Sequence, residues 1–179
     1  MPVATRPHGN QAGFSLVDTL CGIVILGTGL LALAAAFSQG MILMSTTHIQ
    51  QVCKEKAVEA IESVTTARDT RVITWAQIRN QGNGGIFRDG PQPLRIPGAD
   101  GMVNTVDDGA VETEVQPGPD GVLGTGDDTI YALDKFTRQI QITDVPGEAN
   151  LRQIVVTVRY QNGPMVRQYQ LTTFVSAFA

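Results

Sequence analysis

At 179 residues the chain is long enough for one domain, or for one domain with an appendage. Its 42% hydrophobic residues and mean hydropathy of +0.02 make it too apolar for a disordered chain. A net charge of −4 and a pI near 5.1 argue against a basic nucleic-acid-binding domain, and two cysteines cannot build a disulfide scaffold. The charged fraction, 17%, is low because of one region: no Asp, Glu, Lys or Arg occurs from Thr19 to Cys53.

That region begins inside a long apolar run, Leu16 to Leu43. Its inner stretch, Thr19 to Ser38, is long enough to cross a hydrocarbon core, for which about 20 helical residues suffice. Ahead of it lies a short polar piece whose only charged side chain is Arg6, a flank that keeps the N-terminus cytoplasmic and exports the rest of the chain. A cleaved secretory signal would need a small-residue site, for which Ala32-Leu33-Ala34 or Ala34-Ala35-Ala36 could serve, but apolar residues continue to Met44. A lipoprotein signal at Cys21 fails because the apolar run comes after the cysteine instead of preceding it.

Gly13-Phe14-Ser15-Leu16-Val17-Asp18 resembles the type IV prepilin motif: a glycine, an aromatic residue, small and aliphatic residues, then an acid. The adjoining Ile25 to Ala34 is similar to the minor prepilins of the pilus modification protein (PilV) type and to the minor pseudopilins of type II secretion. The resemblance implies that a prepilin peptidase cuts between Gly13 and Phe14 and methylates the new amine of Phe14. It further implies that Asp18, where pilins normally carry glutamate, pairs with the N-terminal amine of a neighbouring subunit during filament assembly. An acid at this depth costs up to about 3 kcal/mol on insertion scales, which marks it as functional; an acid in a first helical turn is also favoured by the helix dipole.

Beyond the apolar run, Ile49, Cys53, Ala57, Ile61 and Val64 recur at helical spacing, so the helix is expected to continue to about Ala67 with one face laid on a sheet. Cys21 and Cys53 are then about 48 Å apart on one helix and cannot pair within the chain. Residues 70–90 read as a connector. Next comes an internal repeat with an offset of 20 residues, Pro97 to Asp108 and Pro117 to Asp128, sharing P-G-x-D-G-x-x-x-T-x-D-D. Asp100, Asp107 and Asp108, and likewise Asp120, Asp127 and Asp128, place three carboxylates among glycines. Oxygen ligands on such a loop suit Ca²⁺, whereas Asp-Gly pairs are equally ordinary turn chemistry. The remainder alternates as antiparallel strands: Phe136 to Thr143; Ile154, Val156, Val158 and Tyr160; an Asn162-Gly163 hairpin turn; then Tyr169, Leu171, Thr173 and Val175.

The expected fold is α+β and pilin-like, a long N-terminal helix packed on a small antiparallel sheet. Its parts are a leader at 1–13, a membrane and filament-core helix at 14–44, an amphipathic continuation at 45–68, and an exported β-rich domain at 69–179 with the acidic repeat at 97–128. No His occurs after His48 and no Cys after Cys53, so the exported part lacks Ser-His and Cys-His nucleophilic pairs and His- or Cys-ligated zinc. The expected role is a non-enzymatic minor pilin or pseudopilin, anchored in the inner membrane before assembly and then part of a periplasmic or extracellular filament. Its partners would be other pilin subunits, the prepilin peptidase and the inner-membrane assembly platform; it requires no cofactor, calcium being the one candidate. The competing reading is a secreted or membrane-anchored calcium-binding module with an ordinary signal sequence.

Overall fold

The computed structural model describes residues Ser15 to Phe178. Helix α1 (Leu16–Asp69) runs for 54 residues, and no proline between Pro7 and Pro91 interrupts it. It stops through a Schellman arrangement: Val72 N donates to Ala67 O at 2.9 Å and Arg71 N to Arg68 O at 3.0 Å. Arg71 takes the left-handed conformation (φ 58°) that glycine usually supplies there. Six strands come after the helix: β1 (Gln92–Pro93), β2 (Thr113–Gln116), β3 (Thr129–Ala132), β4 (Phe136–Val145), β5 (Glu148–Asn162) and β6 (Met165–Ser176). The fold is therefore α+β with one long N-terminal helix packed on a small antiparallel sheet, as the sequence leads one to expect.

The chain forms two compact units, the first ending at Ser45 and the second beginning at Thr46. In the second unit a four-stranded antiparallel sheet has the order β1-β4-β5-β6. Its inner face is the alternate set read from the sequence: Phe136, Ile140 and Ile142 on β4, Ile154, Val156 and Val158 on β5, and Val175 on β6 are all buried. Each such side chain contributes about 1.5–3 kcal/mol by leaving water. Phe136 and Tyr160 are register partners with ring centroids 4.8 Å apart, a pair worth about 1 kcal/mol beyond its area. The helix buries Val52, Cys53, Ala57, Ala60, Val64 and Ala67 against this face, with Ile49 and Ile61 beside it. The stripe thus centres on alanines, whose short side chains let helix and sheet approach closely.

Two expectations change. The β5–β6 loop is Gly163-Pro164, not Asn162-Gly163, because Asn162 pairs with Met165. Gly163 supplies the positive φ (56°) at the first loop position and Pro164 the fixed negative φ at the second. Residues 70–90 also form more than a connector. They make two 3₁₀ turns, Trp75–Gln77 and Gln81–Asn83, and bury Ile73, Ile78 and Phe87 in the core. Arg152 reaches this segment from β5, stacking 4.0 Å over Trp75 and donating Nη1 to the Trp75 and Ile78 carbonyls.

The second copy of the acidic repeat joins β2 to β3, a separate two-stranded ribbon. Glu114 approaches His48 Nε2 of α1 at 3.4 Å and Gln116 Nε2 lies 3.2 Å from the same nitrogen. The register partners Val115 and Ile130 both stay exposed.

Candidate functional site

The first unit is the apolar part of α1. Its entrance is set by Ser15, whose Oγ accepts Val17 N at 3.3 Å and whose carbonyl accepts Asp18 N at 3.0 Å. Asp18 sits in the first turn, at the positive pole of the helix dipole. The capping serine inside the prepilin-like motif is a role that sequence reasoning missed; a serine three residues ahead of an acid is the signal that could have shown it.

From Leu16 to Leu43 no ionisable side chain except Asp18 and the Cys21 thiol occurs. The hydroxyls of Thr19 and Thr28 donate to the carbonyls of Leu16 and Ile25, at 2.8 and 2.9 Å, so neither presents an unpaired donor outward. With its backbone bonds internal, this is a form a hydrocarbon phase accepts. Its best stretch has a mean hydropathy of 2.4 and none of it is buried. Side chains on every flank, such as Val24, Ile25, Leu31 and Phe37, are more than half exposed. A helix that is apolar all round needs lipid or other helices against it. Gly22, Gly27, Gly29 and Gly40 have no neighbour within 4 Å of where a Cβ would stand, which leaves flanks open to close helix approach. Gly13 and Phe14, the expected processing pair, lie outside the described residues.

The two acidic loops share one internal frame. In the first, Asp100 Oδ1 accepts Met102 N (2.8 Å), Asp107 Oδ2 accepts Asp100 N (3.3 Å), Asp107 Oδ1 accepts the Thr105 hydroxyl (2.7 Å), and Asp108 accepts Asn104 N and Thr105 N. In the second, Asp120 accepts Val122 N (2.8 Å), Asp127 accepts Asp120 N (3.4 Å) and the Thr125 hydroxyl (2.6 Å), and Asp128 accepts Gly124 N and Thr125 N. The threonine hydroxyl bond holds Asp107 and Asp127 below the ordinary carboxylate range, whereas partial burial lifts Asp100 above it. Each loop turns its carboxylates to its own N–H and O–H donors, Asp108 through both oxygens and Asp128 through Oδ2 alone, its Oδ1 being buried without a hydrogen-bond partner among the described residues. Among the described residues no three His, Cys, Asp or Glu side chains are grouped to hold a metal ion.

The loops differ in what they rest on. Met102, Val103, Asn104 and Thr105 are buried in the domain, while Val122, Leu123, Gly124 and Thr125 are exposed. Asn104 and Gly124 occupy equivalent places, both with positive φ (63° and 91°), so the alignment of the two copies already marks Asn104 as a turn residue.

No family model, curated protein or solved structure matches the chain. Its architecture, a long N-terminal helix packed on a small antiparallel sheet, is pilin-like in general layout, and the helix contains one candidate membrane span.

Proposed function

We propose that the chain is a minor pilin or pseudopilin, a structural subunit that joins or primes a filament of the type IV pilus or type II secretion kind and performs no chemistry itself. The observation that carries this reading is the first half of α1. It is apolar on every flank and proline-free, with a single carboxylate, Asp18, in its first turn, and it continues into the helix that carries a small β-domain. A secretory signal has no use for an acid at that place. A filament built from parallel helices does: the carboxylate neutralises a neighbour's N-terminal amine in a medium where an unpaired charge is costly.

In this reading a prepilin peptidase removes residues 1–13 and methylates Phe14. The helix stays in the inner membrane with its N-terminus cytoplasmic, and the assembly platform then draws it from lipid into a bundle of like helices. Asp18 is one methylene shorter than the glutamate usual in pilins; the sign of the pairing is kept and its reach shortened. Co-expression with and without a prepilin peptidase, with mass spectrometry of the mature N-terminus, tests the assignment. A methylated Phe14 that appears only with the peptidase is the expected result. A mature chain starting near Ala35 or Phe37 would mean ordinary secretion and would remove the filament role.

A further inference from the structure

The acidic repeat uses one frame twice and puts two apolar residues at the same place in each copy, Met102-Val103 and Val122-Leu123. In the first copy both are buried in the core; in the second they are 55% and 62% exposed. Around the exposed pair, Val122 N donates to Asp120, and Gly124 N and Thr125 N to Asp128, so these backbone donors need no water.

The ribbon that holds this loop is faced the wrong way round for a soluble domain. Glu114 and Gln116 turn to His48 on α1, while Val115 and its partner Ile130 lie exposed on the opposite face. A two-stranded ribbon gains little stability by itself and ordinarily lays its apolar face on the core. Here the polar face lies on the helix and the apolar one is turned out.

The contacts also fix the ribbon's direction. Glu112 pairs with Lys56 and, four residues later, Gln116 lies beside His48, so β2 runs antiparallel to α1, towards the helix's N-terminal side. Loop 117–128 comes after that last contact. His48 is four residues past Met44, where the apolar run of α1 ends, and four residues span at most about 14 Å however the chain between them is arranged. A bilayer around that run is therefore within reach of the ribbon's leading end.

We propose that this ribbon end is a second membrane contact, with Val122 and Leu123 set about 5–10 Å into the boundary between headgroups and acyl chains, and Val115 and Ile130 behind them against the headgroups. The lipid it fits is zwitterionic. No Lys or Arg occurs between Arg95 and Lys135, whereas Glu114, Asp120, Asp127 and Asp128 do, so an anionic surface repels the ribbon and a headgroup ammonium does not. Such a contact fixes which way the domain faces while its helix is in lipid. The proposal rests on α1 crossing a membrane; it does not need the filament role.

The test uses the full chain with Cys21→Ser, one to a lipid nanodisc of phosphatidylcholine, and a nitroxide on a single introduced cysteine, with Cys53 left in the core. Collision with oxygen, which dissolves in lipid, and with a nickel chelate, which stays in water, places each label. Leu123→Cys should show an oxygen-to-nickel ratio roughly threefold or more above that of Val106→Cys, an exposed site in the first loop that lies beside Val72, past the other end of α1. Leu31→Cys, in the apolar run, reports the bilayer itself. With phosphatidylglycerol added to the disc, the ratio at Leu123 should fall. Equal ratios at Leu123 and Val106, with Leu31 in lipid, would overturn the proposal and leave the membrane helix standing; water at Leu31 as well would remove both. A Leu123 label shielded from both reagents, or immobilised only when two chains share a disc, would give the ribbon to a protein contact and overturn the proposal too. A ratio that does not fall with phosphatidylglycerol would overturn the choice of lipid.

Discussion

Lys56 on α1 and Glu112, just ahead of β2, form an ion pair across the core boundary, and Lys56 Nζ also donates to Glu59 Oε2 at 2.6 Å. Arg138, fully buried on β4, stands behind them with its Nη atoms 3.8 Å from Glu59 Oε1 and from Glu112 Oε1. Two cations and two carboxylates thus join helix, loop and sheet. Replacing a whole cluster of this kind by apolar residues can be neutral, but removing one member strands a buried charge.

Lys56 gives the cluster its pH dependence. Burial pulls its pKa down, yet the bonds to Glu112 and Glu59 outweigh that and hold the ammonium above its ordinary value. A raised folded value means that the stabilisation is complete below the unfolded pKa, about 10.4, and is lost as pH rises through the folded one. Urea unfolding of wild type and Lys56→Met should show the wild type more stable at pH 7, with the difference shrinking on the alkaline side above about pH 10 and on the acid side only where Glu59 and Glu112 protonate. A difference that shrinks between about pH 5 and 8 would mean that another group controls the cluster.

Asn104 separates two effects at one position. Its side chain accepts Arg138 Nε at 3.0 Å and donates to Arg138 O, while its backbone sits at φ 63°. Asn104→Gly keeps the backbone accessible and loses the amide, leaving a buried charged donor unmatched at about 2–3 kcal/mol. Asn104→Ala adds the left-handed penalty, about 1 kcal/mol more. The order wild type, Gly, Ala in unfolding free energy is expected; equal stability of the Gly and Ala variants would show that the backbone at Asn104 carries no penalty.

The sheet and the helix were legible in the sequence because their signals are local and periodic. Ile140 and Ile142, or Ile154, Val156 and Val158, alternate over a face that is buried on one side only. The strand around Thr129 was not legible, since Thr129–Ala132 is exposed throughout and its pairing with Thr113–Gln116 depends on a contact across the acidic loop. Buried Arg138 and Arg152 were invisible for a similar reason: each reads as an ordinary polar strand residue, Arg138 between Thr137 and Gln139 and Arg152 between Leu151 and Gln153, until distant partners, Glu59 or the Ile78 carbonyl, are in place. At the candidate site, Asp18 stood out because a charge in an apolar run is anomalous by itself, whereas Asn80 closes an edge that exists only once the sheet has formed.

Gly98 and Gly118 are the same residue in two settings. A Cβ on either would stand 2.2 Å from the carboxylate of Asp107 or Asp127, so alanine must push the aspartate out of its turn. In the first loop this disturbs Met102, Val103 and Asn104, which are core residues, and Gly98→Ala is expected to lower global stability by about 1–3 kcal/mol. The second loop is exposed, and Gly118→Ala should leave the unfolding free energy within about 0.5 kcal/mol of wild type. Thermal or urea melts decide it; equal losses would mean that the second loop is packed on something in solution.

Cys53 reports how firmly helix and sheet stay together. It lies on the buried face of α1 at 1% exposure, and burial pushes its thiol up to about 11. Only the thiolate alkylates, so this shift alone slows reaction roughly 100-fold, before any effect of access. In a Cys21→Ser background, N-ethylmaleimide at about pH 7.5 should leave Cys53 unmodified while Gln51→Cys, two positions away on the exposed flank, reacts to completion. In mid-transition urea the two rates should converge, because opening the helix–sheet contact restores both the thiolate and its access. Rapid labelling of Cys53 in the folded chain would mean that α1 leaves the sheet far more often than its alanine-lined contact allows.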